Sequence, residues 1–163
     1  MKTVLLIRHA KSSWDDFTID DFDRPLNDRG KRDAPEMAKR LLKRNQEIDA
    51  FISSPAKRAK KTALLFAEEF KFDKEKVKFH DYLYHPSSEN LMRAIESAPD
   101  KADNIAIFSH NPGITAFANE LTDIRVDDMP TCAIFALSAD TKHWKDFHNA
   151  ARKFLYFDYP KAF

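Results

Sequence analysis

Val4-Leu5-Leu6-Ile7-Arg8-His9-Ala10-Lys11 opens the chain, and the fold turns on this stretch. Four branched apolar residues run together between polar neighbours, which marks a strand buried on both faces, as in the middle of a parallel sheet. The run ends in a cation and an imidazole. In open α/β sheets ligands bind beyond the carboxyl ends of the strands, so Arg8 and His9 stand where chemistry is done. Taken alone, the pair reads more simply as the first solvated residues of a loop, and the remaining strands must decide.

Working outward, residues 11–26 are polar and aromatic and read as a loop. Asn27 is an N-cap for a helix reaching about Arg44, with Ala34, Met37, Ala38, Leu41 and Leu42 at helical spacing. Pro35 lies inside that pattern and should kink or break it. A strand over residues 48–52 closes in Ser53-Ser54-Pro55, with Pro55 suited to the first turn of a helix over residues 56–70. A weaker strand over 77–80, a helix to about Ser97 and a strand over 104–109 follow. The last runs into His110-Asn111-Pro112-Gly113 and a helix over 114–121. Residues 131–137 and 153–157 read as the final strands, joined through a segment around Trp144. This alternation predicts a three-layer α/β fold, a mostly parallel central sheet with helices on both faces.

The chain's 163 residues suit one domain, without material for a large cap. A formal net charge of +1 gives no global attraction to nucleic acid or membrane, so any electrostatic function must be local. Cys132 is the sole cysteine, which excludes an internal disulfide or a cysteine-based zinc site and fits a reducing compartment. The N-terminal apolar run is too short for a signal-peptide core and no later run approaches a membrane span, so the expected location is cytoplasmic. With only Gly30 and Gly113, a glycine-rich phosphate loop or dinucleotide fingerprint is ruled out.

Parallel strands joined by crossover helices bring their carboxyl ends to one edge. Three such ends carry Arg8-His9, then Ser53-Ser54-Pro55 with Arg58 one turn on, then Ser109-His110. Lys57, Arg58, Lys60 and Lys61 crowd a helix start, where the dipole disfavours cations by roughly 0.3–1 kcal/mol each. A nearby anion reverses that cost, while lysines pointing into water largely escape it. Arg58 is the one nearest the strand end, and a guanidinium grips two phosphate oxygens at once. Two arginines and two imidazoles without evident metal ligands suggest phosphoryl chemistry. Nearby positive charge keeps His9 neutral and able to attack phosphorus, with Arg8, Arg58 and His110 on the equatorial oxygens. Transfer gives a phosphohistidine that water hydrolyses.

Arg8-His9-Ala10, Arg24-Pro25-Leu26-Asn27-Asp28-Arg29-Gly30, Ser53-Ser54-Pro55-Ala56-Lys57-Arg58-Ala59 and Ser109-His110-Asn111-Pro112 together resemble, in order, the motif blocks of the histidine phosphatase superfamily, which has the phosphoglycerate-mutase-like fold. Within it the chain looks most like the small SixA-like phosphohistidine phosphatases. The resemblance implies His9 as nucleophile, Arg8, Arg58 and His110 as catalytic phosphate ligands, and Arg24 and Asn111 near the substrate. From the residues themselves, no cofactor and no metal are expected. The expected substrate is phosphohistidine in a protein, with a phosphate or sulfate anion fitting the same site. A small phosphate ester is the alternative, and a non-catalytic phosphate-binding module the rival from another class.

Larger members of that superfamily carry a carboxylic acid after the third strand. Here the chain reads Asp81-Tyr82-Leu83-Tyr84-His85, with Glu89 beyond, and Asp81 and Glu89 are the candidates for the acid, each also readable as a surface carboxylate. Neither His80 with His85 nor His143 with His148 has the i, i+4 spacing of a helical metal pair. Cys132 is expected on an apolar strand as a packing residue. Trp14 and Tyr84 either line the mouth of the pocket or, on the simpler reading, pack.

Overall fold

The computed structural model describes residues 1–161. In chain order its elements are β1 (Lys2–Arg8), α1 (Asp28–Lys43), β2 (Ala50–Ser53), α2 (Lys57–Glu69), β3 (Lys78–Phe79), α3 (Ser88–Glu96), β4 (Asn104–Ser109), α4 (Gly113–Leu121), β5 (Ile134–Ala139) and β6 (Arg152–Asp158). The opening strand is buried as its composition requires. Val4, Leu5, Leu6 and Ile7 have no exposed surface, and their alternation sends Val4 and Leu6 into one core and Leu5 and Ile7 into the other.

The strands form a single sheet in the order β3-β2-β4-β1-β5-β6. β1, β2, β3 and β4 are mutually parallel, β5 lies antiparallel to β1, and β6 lies antiparallel to β5. Only β5 therefore runs against the rest, and the sheet is mostly parallel. One face is covered by α1 and α2 through Ala34, Met37, Leu41, Ala63 and Phe66. The other is covered by α3, α4 and the 3-10 segment Trp144–Asn149, through Leu91, Ile95, Ile114, Phe117, Trp144 and Phe147. The result is a three-layer α/β fold with no large cap.

Local signals act as expected at most boundaries. The Asn27 side chain accepts from the Gly30 N–H, and Ser87 with Asn90 forms a reciprocal capping box at α3. Other boundaries differ. α1 runs unbroken across Pro35, whose position is partly exposed while the apolar face of the helix stays packed on the sheet. Packing of that face outweighs the lost backbone bond. Pro55 precedes the Ala56 N-cap of α2 and so stands outside the first turn. β5 begins at Ile134 because Thr131 and Cys132 form a turn, with Cys132 at φ 63°. Cys132 is thus buried, yet in a turn before the strand.

Both glycines stand where main chain meets main chain. A Cβ on Gly30 would lie 2.2 Å from the Lys11 carbonyl oxygen, and one on Gly113 would lie 2.3 Å from that of Pro86. The first contact seats α1 against the segment after His9, and the second seats α4 against the segment after Tyr84.

Candidate active site

The strands β2, β4 and β1 are neighbours, and their register pairs Arg8 with Ser109 and Ser53 with Phe108. His9, Ser54 and His110 consequently follow side by side at one edge. The ladder continues beyond the strands: the His9 N–H donates to the Ser109 carbonyl at 3.2 Å and the Ser54 N–H to that of Phe108 at 3.0 Å. From below, the Cys132 N–H donates to the His9 carbonyl at 3.0 Å. On α2, the Thr62 hydroxyl donates to the Arg58 carbonyl and accepts from the Ala10 N–H at 3.0 Å, tying the Arg58 turn to the chain after His9.

His9 and His110 are both buried, with ring centroids 5.0 Å apart. The His9 Nδ1–H donates to its neighbour's carbonyl, Ala10, at 2.8 Å, which fixes the tautomer and leaves the lone pair on Nε2. The Arg58 Nε–H approaches that nitrogen at 3.4 Å. Burial, followed by the charges of Arg58, Arg8 and Arg24, holds the His9 imidazole down at a pKa of about 3. His110 is held down to about 2, by burial first and then by His9 and Arg58. Both rings are neutral at pH 7. The His110 Nε2 lies 2.8 Å from the Ser54 hydroxyl, which itself accepts from the Ala56 N–H. With Ser54 donating, Nδ1 carries the hydrogen of His110, and this buried nitrogen has no partner among the described residues.

Arg8 presents a second buried donor in the same state. Its Nη1 donates to the Met129 carbonyl at 2.8 Å, while its Nε has no partner among the described residues. Unpartnered buried N–H groups are costly, and an oxyanion is the natural acceptor for a pair of them.

Arg58 and Arg24 converge on Asp21, an acidic residue of the 11–26 loop that the sequence pattern does not single out. Arg58 donates through Nη2 to Asp21 Oδ2 at 3.0 Å and through Nη1 to the Asp21 carbonyl at 2.5 Å. Arg24 donates through Nε to Asp21 Oδ1 at 3.1 Å and through Nη1 to the Ser12 hydroxyl at 2.7 Å. The Tyr84 hydroxyl adds a hydrogen bond of 2.5 Å to Asp21 Oδ2, and Ser109 fixes the Tyr84 turn by donating to the Leu83 carbonyl at 2.7 Å. Partial burial raises the Asp21 pKa, yet the hydrogen bonds from Tyr84 and Arg58 outweigh it and hold the carboxyl well below the usual range. Asp21 is ionised and grips two donors of Arg58.

The structure therefore brings Arg8, His9, Arg58, His110 and Arg24 together. Asn111 is committed elsewhere: its Nδ2 donates to Asp128 and to the Met129 carbonyl at 2.8 and 3.0 Å, and its Oδ1 accepts from Thr115 at 2.6 Å. It anchors the turn whose Met129 carbonyl Arg8 uses. Asp81 and Glu89 are exposed, and among the described residues neither side chain bonds to a site residue. His143 pairs with Asp100, His148 with Glu96, and His80 stacks on Tyr82. Trp14 departs from the expected packing role. It is 61% exposed and stacks over the Arg24 guanidinium at 3.5 Å. Phe22 meets the Tyr84 ring edge-on at 5.0 Å, and Phe17 on the same loop is 91% exposed.

Comparison with known proteins places this geometry in a class. The family model of the histidine phosphatase superfamily (branch 1) matches residues 4–83, which include Arg8, His9 and Arg58. An uncharacterized chloroplastic protein of Arabidopsis thaliana is 30% identical over 154 residues, covering 89% of this chain and 70% of that protein. The putative phosphohistidine phosphatase SixA from Agrobacterium tumefaciens superimposes with a TM-score of 0.80 at 24% identity, over 98% of each chain. A protein histidine phosphatase SixA complexed with tungstate superimposes at 0.82 with 19% identity, over 97% of each. A mycobacterial glucosyl-3-phosphoglycerate phosphatase complexed with VO3 superimposes at 0.67 with 15% identity, over 98% of this chain and 100% of that one. The chain belongs to the histidine phosphatase superfamily, and its fold is that of the SixA structures.

Proposed function

We propose that the protein is a phosphatase that acts through His9 on phosphohistidine carried by a protein. The His9 Nε2 lone pair attacks phosphorus, forming a new N–P bond as the bond from phosphorus to the substrate's ring nitrogen breaks. Arg8, Arg58 and the His110 Nδ1–H stabilise the equatorial oxygens, where charge gathers in a loose transition state. The leaving imidazole departs with the proton its ring already carries. Water then attacks the phosphohistidine on His9, releasing inorganic phosphate and restoring the neutral ring.

The observation that carries the choice of substrate is the state of Asp21. The Asp21 carboxylate, which pairs with Arg58, is ionised and bound by Arg58, Arg24 and Tyr84, so it has no proton to give an alkoxide. A protonated phosphohistidine needs no such acid, whereas a sugar phosphate does. The absence of a large cap supports the same reading, since a protein side chain needs an open approach. A cytoplasmic setting fits the reading, and among the described residues no helix is long and apolar enough to cross a membrane.

A second reading is hydrolysis of a small phosphate ester, favoured by the similarity to the glucosyl-3-phosphoglycerate phosphatase. The deciding assay compares wild type and His9→Ala on a phosphohistidine peptide and a panel of sugar phosphates. Turnover of the peptide alone, lost with His9, supports the proposal. Rapid hydrolysis of a sugar phosphate with none of the peptide reverses the substrate.

A further inference from the structure

Beside the pocket, an open cleft of about 640 Å³ separates the starts of α1 and α2, lined by Pro25, Leu26, Leu64 and four lysines. Its position follows from the chain. Pro25 succeeds Arg24, and Lys57 precedes Arg58, so the cleft and the phosphate pocket share a wall. The lysines are Lys31, Lys57, Lys60 and Lys61, all exposed. None of them has an acidic partner among the described residues, whereas Lys2, Lys39 and Lys74 each have one. In a chain of net charge +1 this is a local imbalance, and three of the four stand in the first turns of α2, which carries no acidic residue there and no side-chain cap. The floor is of another character, since Leu26 is buried and Leu64 half-buried.

Lysines around an apolar floor fit one kind of occupant: a peptide segment that alternates carboxylates with apolar side chains. Free inorganic anions would use the charge and leave Leu26, Leu64 and Pro25 idle. Nucleic acid is disfavoured because, among the described residues, lysine, leucine and proline line the cleft, without an aromatic on which a base could stack. We propose that this cleft docks an acidic, amphipathic segment of the phosphorylated protein, adjacent to its phosphohistidine. The inference rests on the phosphohistidine reading for the identity of the partner, and the cleft's own binding can be measured without it. Docking of this kind steers encounter through charge and so acts on kcat/KM more than on kcat.

The test uses three synthetic peptides, each bearing phosphohistidine followed by alternating glutamate and leucine, lysine and leucine, or serine and glycine, with free phosphohistidine as the minimal substrate. The wild type should show kcat/KM about tenfold higher for the glutamate peptide than for the lysine peptide, with the advantage shrinking as salt rises. Lys60→Glu/Lys61→Glu should abolish or invert that preference and leave free phosphohistidine turned over at the wild-type rate. Anisotropy of a labelled, unphosphorylated glutamate peptide gives a reading independent of catalysis, binding to wild type and not to the double variant. If wild type hydrolyses no phosphohistidine compound but binds that peptide, the functional proposal falls and the cleft stands. Equal rates on all three peptides, no anisotropy change, or an equal loss on free phosphohistidine in the double variant would each overturn the docking inference. A serine-glycine peptide bound as tightly as the glutamate one would do the same.

Discussion

Replacing Asp21 by asparagine should make the pocket bind oxyanions more tightly. The carboxylate now holds Arg58 Nη2 at 3.0 Å and Arg24 Nε at 3.1 Å, so an incoming phosphoryl group must take Arg58 from it. The two guanidinium side chains are 6% and 9% exposed but that of Asp21 is 46% exposed, so the Arg58 pair is discounted to about 1 kcal/mol. Repulsion between the carboxylate and an oxyanion about 4 Å away adds about 1 kcal/mol in a water-like medium. Together these are about 2 kcal/mol, or about thirtyfold in Kd. Titration calorimetry with tungstate at pH 7 and low salt measures it directly. Asp20→Asn and Asp23→Asn, exposed neighbours that make no side-chain bond to Arg58, should stay within about twofold and so separate the pairing from a change in net charge. Equal or weaker tungstate binding by Asp21→Asn would refute the competition.

His9→Ala should lower turnover by several orders of magnitude while tungstate binding persists, and wild type quenched in acid-free denaturant should hold phosphate on His9 where the variant holds none. Both imidazoles have folded pKa values below the unfolded value of about 6.5, so the unfolded chain binds more protons as pH falls. Stability is then fully present above pH 6.5 and is lost as pH drops toward about 3, by up to about 1.4 kcal/mol per pH unit for each ring; urea titrations of wild type and His9→Gln should show the shallower acid slope in the variant. Gly30→Ala should cost about 1–3 kcal/mol or more in the same urea assay, because its Cβ would stand 2.2 Å from a backbone oxygen that has no rotamer to change.

Much of this site was legible because its chemistry sits at the ends of apolar runs. Val4 to Ile7 and Ile105 to Phe108 have no surface exposed, and such strands announce where they stop. Arg8-His9 and Ser109-His110 are therefore located by the apolar residues before them. Asp21 has no such marker. It is one acid in a loop with several, and its role depends on Arg58 and Tyr84, which lie 37 and 63 residues away. Its spacing of three residues before Arg24 was the one local signal. Asn111 shows the converse. It lies beside His110 in the motif, yet its amide is spent on the 128–129 turn, a contact that depends on how the chain returns and not on its neighbours. The start of β5 escapes the sequence for a similar reason, since the turn at Cys132 is closed by Ala133 on the Pro130 carbonyl and held by a bond to His9 that no periodicity reveals.

The chain's pair of glycines has an architectural consequence. Where two backbones touch, spacing no longer depends on which side chains happen to decorate either strand of the seam. The frame that carries the imidazoles is thus insulated from change in its surroundings, and the aromatic and basic residues around the mouth are at liberty to diverge. Altered selectivity in such a molecule would be sought by rewriting its rim and lysine cleft, with the seams at Gly30 and Gly113 left untouched.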